Sequence, residues 1–109
     1  MYFNCFSINN QLVELKLFLK NHAVDIALLT ETFLKPNHKL TINGYHIICR
    51  HQPIGHGGGT AILINKSLDF HEIIIPDTET FGATCGVKII VDDTTFCCYV
   101  LMYKAIKSK

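Results

Sequence analysis

A short apolar run, Val24 to Leu29, broken only by Asp25, stands directly after a segment with helical periodicity, and a second apolar run, Tyr2 to Phe6, stands before it. Between them Leu12, Leu15, Phe18 and Leu19 recur at helical spacing, with Glu14, Lys16 and Lys20 mostly on the opposite side. This pattern predicts an amphipathic helix, with Ser7, Asn9 or Asn10 as its N-cap and its end near Asn21-His22. Val24 to Leu29 then reads as a strand buried on both faces. Strand, helix, strand in so few residues makes a crossover between parallel strands, which leaves both carboxyl ends on one edge of a sheet. Asn4 and Glu31 are thereby expected at one rim.

From Lys35-Pro36-Asn37 onward the grammar changes to strands bounded by turns: Tyr45 to Cys49, Thr60 to Ile64, Phe70 to Ile75, Ala83 to Val91 and Thr95 to Tyr103. Their order predicts an antiparallel meander. Asp92-Asp93 is a good hairpin turn, and Gly57-Gly58-Gly59 a connection that needs positive φ angles. The expected fold class is α/β, with 109 residues forming a single domain and one modest core.

Charge and cysteine usage narrow the function. A formal net charge of +1 gives no basic stripe of the kind that holds nucleic acid by phosphate neutralisation alone. The one basic cluster, Lys104, Lys107 and Lys109, reads as a solvated terminus. Five cysteines, Cys5, Cys49, Cys85, Cys97 and Cys98, are odd in number and form no C-x-x-C pair, so they read as buried thiols in a reducing compartment. With no signal peptide and no apolar run approaching the roughly 18 residues of a membrane span, the expectation is a soluble intracellular protein, nuclear or cytoplasmic, with no membrane partner.

Two residues stand out for chemistry. Glu31 directly follows a buried strand, where an open α/β sheet places its ligand groups, and its carboxylate is a hard oxygen donor suited to Mg²⁺. By position alone it could equally solvate the strand end. Asn4 is polar inside an otherwise apolar strand; it either bonds a neighbouring loop or lends its amide oxygen to a metal or phosphate site. Two oxygen donors on one rim favour a shared site. Tyr103 closes the last strand and, taken alone, reads as a packing aromatic.

Other chemistries fail on spacing. His56-Gly57-Gly58-Gly59 looks like a lipase oxyanion loop, but the chain has no G-x-S-x-G elbow, and no Gly-Lys-Ser or Gly-Lys-Thr makes a phosphate-binding P-loop. Six histidines, His22, His38, His46, His51, His56 and His71, form no H-x-x-x-H or H-E-x-x-H pair and read as surface or turn residues.

The string as a whole resembles the endonuclease domain of non-LTR, LINE-type retrotransposons, particularly the jockey-like group, within the exonuclease-endonuclease-phosphatase (DNase I-like) superfamily. Phe3-Asn4-Cys5-Phe6-Ser7 looks like the W-N-x-N-G/S opening, and Asp25 to Leu34 like the D-I-x-x-x-x-E-T-x-L signature, the most specific stretch. Asn43-Gly44-Tyr45 with Arg50 is similar to the G-Y-x-x-x-R region, Gly57 to Ile64 to the G-G-G-V-A-I-L-I strand, and Tyr99 to Tyr103 to the strand before the Y-R-P-P or Y-x-P-N turn. The resemblance implies a four-layered α/β sandwich that nicks DNA in a Mg²⁺-dependent reaction and leaves a 3′-hydroxyl to prime a reverse transcriptase of the same element. In it Glu31 binds the metal, Asn4 supports the metal-phosphate site and Tyr103 contacts the scissile phosphate.

The sequence also departs from that pattern. Phe3, Phe6 and Phe33 replace a tryptophan, an asparagine and a histidine, and Ala105-Ile106 follow Tyr103 in place of the proline turn. Lys109 comes before any G-D-x-N or S-D-H motif, so the resemblance implies the amino-terminal half of the sandwich, residues 1–109 as a single incomplete domain. Missing acid-base groups cost ~10²- to 10⁴-fold or more, so no efficient nuclease is expected. The second sheet is expected to be missing too, leaving an apolar face exposed and the chain marginally stable. Two other readings are a non-catalytic nucleic-acid- or protein-binding module, and a DNase or inositol-phosphate phosphatase relative.

Overall fold

The computed structural model describes residues 2–4, 8–30, 32, 40–50, 59–76 and 81–103, with side chains at all of these except 3, 4, 8–10, 81–83 and 101–103. Among these residues seven strands and one helix follow in the order β1 (Tyr2–Asn4), α1 (Ile8–Asn21), β2 (Ile26–Thr30), β3 (Tyr45–Arg50), β4 (Thr60–Asn65), β5 (Asp69–Ile73), β6 (Phe81–Val91) and β7 (Thr94–Tyr103). They make one four-stranded sheet, β1-β2-β4-β3, and one three-stranded sheet, β5-β6-β7.

The strand-helix-strand unit forms as its apolar periodicity dictates. β1 and β2 pair in parallel, Asn4 beside Thr30. Leu15 and Leu19 are buried against Ala27, Leu29, Ala61 and Leu63, and the two alanines let the helix approach the sheet closely. Phe18 departs from expectation: it is 44% exposed and stacks on His22, with ring centroids 4.2 Å apart. Residues 15 and 19 already fill the line facing the sheet, and Phe18 sits about 100° around the helix from Leu19. Asn9 and Asn10 lie within the helix and are not its cap, while Ser7 falls outside the described residues. Ala23, just past the helix, adopts φ 46° and so fills the left-handed position that normally falls to glycine.

The meander divides into two sheets. β3 and β4 pair antiparallel, as do β5-β6 and β6-β7, but β4 also pairs with β2, and the chain leaves the first sheet after Asn65. A tight turn makes the crossing. The Asn65 side chain accepts from the Ser67 amide at 3.0 Å, and the Lys66 amide donates to the Gly44 carbonyl at 2.9 Å. Between β6 and β7, Asp92 (φ 48°) and Asp93 (φ 65°) are both left-handed, the conformation a two-residue type I′ hairpin needs.

The expectation that the second sheet is missing is therefore wrong. Cys85, Val87, Ile89 and Val100 of the three-stranded sheet pack on Ile48, Ile62 and Ile64 of the other. The alternation in β6 puts its inward residues on the apolar face of β4, so the face expected to be bare is covered. The four-stranded sheet is consequently buried on both sides, and Ala61 to Ile64 are all fully buried.

The cysteines also correct the sequence reading. Cys85 is buried, Cys49 and Cys98 are half-buried, and Cys97 is exposed on the outer side of β7; Cys5 lies outside the described residues. All four described cysteines are free thiols. Of the histidines, His22, His46 and His71 are exposed, and His38, His51 and His56 fall outside the described residues.

Candidate functional site

The strand registers line up one transverse row of polar residues at an end of the four-stranded sheet. Asn4 pairs with Thr30, Thr30 with Thr60, and Thr60 with Arg50. Each bounds an apolar stretch of its own strand, and the hydroxyls of Thr30 and Thr60 with the Arg50 guanidinium mark the end of the core on that side. Buried polar groups need partners. Thr30 and the Tyr2 hydroxyl share a hydrogen bond of 2.9 Å, and the Thr60 hydroxyl meets the Cys85 thiol at 3.2 Å.

Arg50 spans the seam between the sheets. Its Nη1 donates to the Ile75 carbonyl at 3.1 Å and reaches the Thr84 carbonyl at 3.5 Å. Both acceptors belong to the smaller sheet and its approach. At the other end of the seam His46 of β3 lies against Phe70 of β5, centroids 5.2 Å apart. The seam is thus closed by an aromatic contact at one end and by a charged strut at the other. Sequence alone does not mark Arg50, Thr30 and Thr60 as one rim; its available signal is that one polar residue ends each apolar run.

The carboxyl end of β7 reaches the same end of the sandwich. Cys85 sits against Thr60 and pairs with Val100, and Tyr103 is three residues further along β7, opposite Phe81. Of the three sequence-predicted site residues, the backbones of Asn4 and Tyr103 therefore terminate strands at one end of the molecule. Their side chains and all of Glu31 lie outside the described residues. Both neighbours of Glu31 are anchored: Thr30 is paired on both sides, and the Thr32 amide donates to the Gly59 carbonyl at 3.4 Å.

In kind, the donors suit Mg²⁺: an asparagine amide and a glutamate carboxylate are hard oxygen ligands. Among the described residues no group of three histidine, cysteine, aspartate or glutamate side chains could hold a metal ion. The thiols near the row are not activated. Burial raises the Cys85 thiol above its usual range, and burial together with Cys85 pushes Cys49 up to about 11. Burial, and then Asp25, also raise the Tyr45 phenol, which donates to the Val24 carbonyl.

A family model described as the endonuclease/exonuclease/phosphatase family matches residues 1–102. The chain belongs to this family. A curated relative, the RNA-directed DNA polymerase from mobile element jockey of Drosophila melanogaster, is 33% identical over 63 residues, which is 58% of this chain. The chain spans only 7% of that relative's length. The two matches together support the resemblance to LINE-type endonuclease domains carried by the Asp25 to Leu34 and Gly57 to Ile64 motifs. For this family member the architecture agrees with a part of the family's sandwich, one helix-backed sheet facing a second. Among its described residues no helix is long and apolar enough to cross a membrane.

Proposed function

We propose that this chain supplies the metal- and phosphate-binding half of a Mg²⁺-dependent DNA-nicking endonuclease of a LINE-type retrotransposon. The observation that carries the reading is the parallel pairing of Asn4 with Thr30, which sets two strand ends side by side immediately before Glu31. Membership of the endonuclease/exonuclease/phosphatase family and likeness to a mobile-element polymerase supply the chemical class.

On this reading Glu31 and Asn4 offer a carboxylate and an amide oxygen to the cation, and the Tyr103 phenol donates to a non-bridging oxygen of the scissile phosphate. When bound, the cation neutralises charge that builds on phosphate oxygens and lowers the pKa of water. The sequence holds no G-D-x-N or S-D-H motif, so the groups that orient and deprotonate water are not among these 109 residues. A reverse transcriptase in the intact element would extend the 3′-hydroxyl that nicking leaves, and the substrate is intracellular DNA.

The test combines binding with activity. Millimolar Mg²⁺ should shift the thermal unfolding midpoint of the wild type and not that of Glu31→Gln. Plasmid nicking should be at least ~10²-fold below that of a family member carrying the water-activating motifs. A Mg²⁺ shift that Glu31→Gln retains, or nicking that survives Glu31→Ala, would sink the assignment.

A further inference from the structure

The last residue of β2 is fixed more completely than strand pairing requires. Thr30 lies between Asn4 and Thr60 in the four-stranded sheet, so its backbone is set from both sides. Its side chain, only 5% exposed, is then tied once more, by the 2.9 Å hydrogen bond it shares with the Tyr2 phenol. Two residues on, Thr32 is 1% exposed and its amide donates to the Gly59 carbonyl at 3.4 Å. In the sequence Glu31 stands between these two buried threonines.

Tyr2 makes its bond across a diagonal. Its register partner is Leu28, and Thr30 lies two residues further along the same face of β2, at the carboxyl end. An aromatic side chain is long enough to span such a diagonal by leaning along the strand. The ring gains little from packing there, since Tyr2 remains 64% exposed. An exposed phenol can bond water equally well, so what the contact changes is the threonine. A threonine hydroxyl without such a partner turns to nearby backbone groups and offers the chain other local conformations. Engaged by Tyr2, the Thr30 hydroxyl leaves the strand end before Glu31 in one arrangement.

A carboxylate binds a cation tightly when it is held in place beforehand, and the groups that hold ligands govern affinity nearly as much as the ligands do. We propose that Tyr2 is a positioning residue of the Mg²⁺ site, acting through the Thr30 hydroxyl on the strand end that leads into Glu31. The inference rests on the proposed function, in which Glu31 is the metal ligand. It adds to that site a residue of β1 whose own atoms need not touch the cation.

Calorimetric titration of the full chain with Mg²⁺ alone tests it. Tyr2→Phe removes only a hydroxyl and should weaken Mg²⁺ binding by roughly tenfold, while the metal-free unfolding midpoint stays at the wild-type value. Thr30→Val should weaken binding to the same degree, and Thr30→Ser, which keeps a hydroxyl, should retain most of the affinity. Tyr2→Phe/Thr30→Val should bind no more weakly than either single variant. In the metal-free protein, hydrogen exchange at the Thr32 amide should quicken in Tyr2→Phe. Wild-type affinity in Tyr2→Phe, alongside a Glu31→Gln variant that binds no Mg²⁺, overturns this inference alone. So do losses that add in the double variant, since they would place the effect of the phenol outside Thr30. A wild type that binds no Mg²⁺ overturns the proposed function and this inference with it. Where Thr30→Val fails to fold, Tyr2→Phe decides through its Mg²⁺ affinity and its Thr32 exchange.

Discussion

The two faces of the four-stranded sheet are buried by different means. On the helix side Leu15 and Leu19 settle on Ala27, Leu29, Ala61 and Leu63, an apolar layer. On the other side Ile48, Ile62 and Ile64 meet Cys85, Val87, Ile89 and Val100, and the layer ends at Thr30, Thr60 and Arg50. The helix face needs volume and little else, because dispersion and water exclusion carry no direction. The sheet face also needs matched hydrogen bonds, because its rim buries polar groups at the strand ends proposed to hold a cation.

The largest effect should come from the helix face. Leu29→Ala, at a fully buried site, should cost about 2–5 kcal/mol in chemical denaturation; a loss below about 1 kcal/mol would show that this layer is not the tightly packed one. Arg50→Met should cost about 1.5–3 kcal/mol by leaving the Ile75 and Thr84 carbonyls without their charged donor. Arg50→Lys should recover only part of it, since a single ammonium cannot reproduce the guanidinium fork. Full recovery would mean that charge alone holds the seam.

A smaller effect tests the end of the helix. Ala23→Gly should stabilise by about 0.5–1 kcal/mol, because glycine takes φ 46° without the Cβ penalty; a loss would show that the Ala23 methyl packs usefully.

The smallest is pH-dependent. Cys49 rises from 9.0 to about 11 in the folded chain. A thiol with a raised folded pKa contributes stability that is complete below its unfolded value and is lost as pH climbs through the folded one. Stability should therefore decline between about pH 9 and 11, less steeply in Cys49→Ala. Identical slopes would assign the alkaline loss to other groups, Tyr45 among them.

Much of the fold was legible because its determinants are local. The period of Leu12, Leu15 and Leu19 specifies a helix with one wet face, and Asp92-Asp93 names its own turn, since few residues tolerate two successive left-handed conformations. Phe18 misled because an aromatic at helical spacing can sit on the border of the apolar stripe, where a neighbouring histidine ring offers it cover. Cys97 misled because alternation along β7 says that a residue faces one side and not which side is wet.

The site was legible in kind only. Sequence position puts Asn4 and Glu31 on one rim through the handedness of the crossover, and the family match runs over the residues that carry the motifs. The polar row could not be read, because its members come from four strands whose alignment depends on register, and register is settled by which residues both faces of the sheet must bury.

By itself, then, the sequence determined the strand-helix-strand unit and the hairpin turn, both properties of neighbouring residues, and it names the donors proposed for the site. Tertiary structure alone decided that the chain changes sheets after Asn65, that the second sheet covers the first, and that Arg50 reaches across the seam to Ile75 and Thr84. These choices rest on burying apolar area between segments distant in sequence, a quantity that exists only once the segments meet.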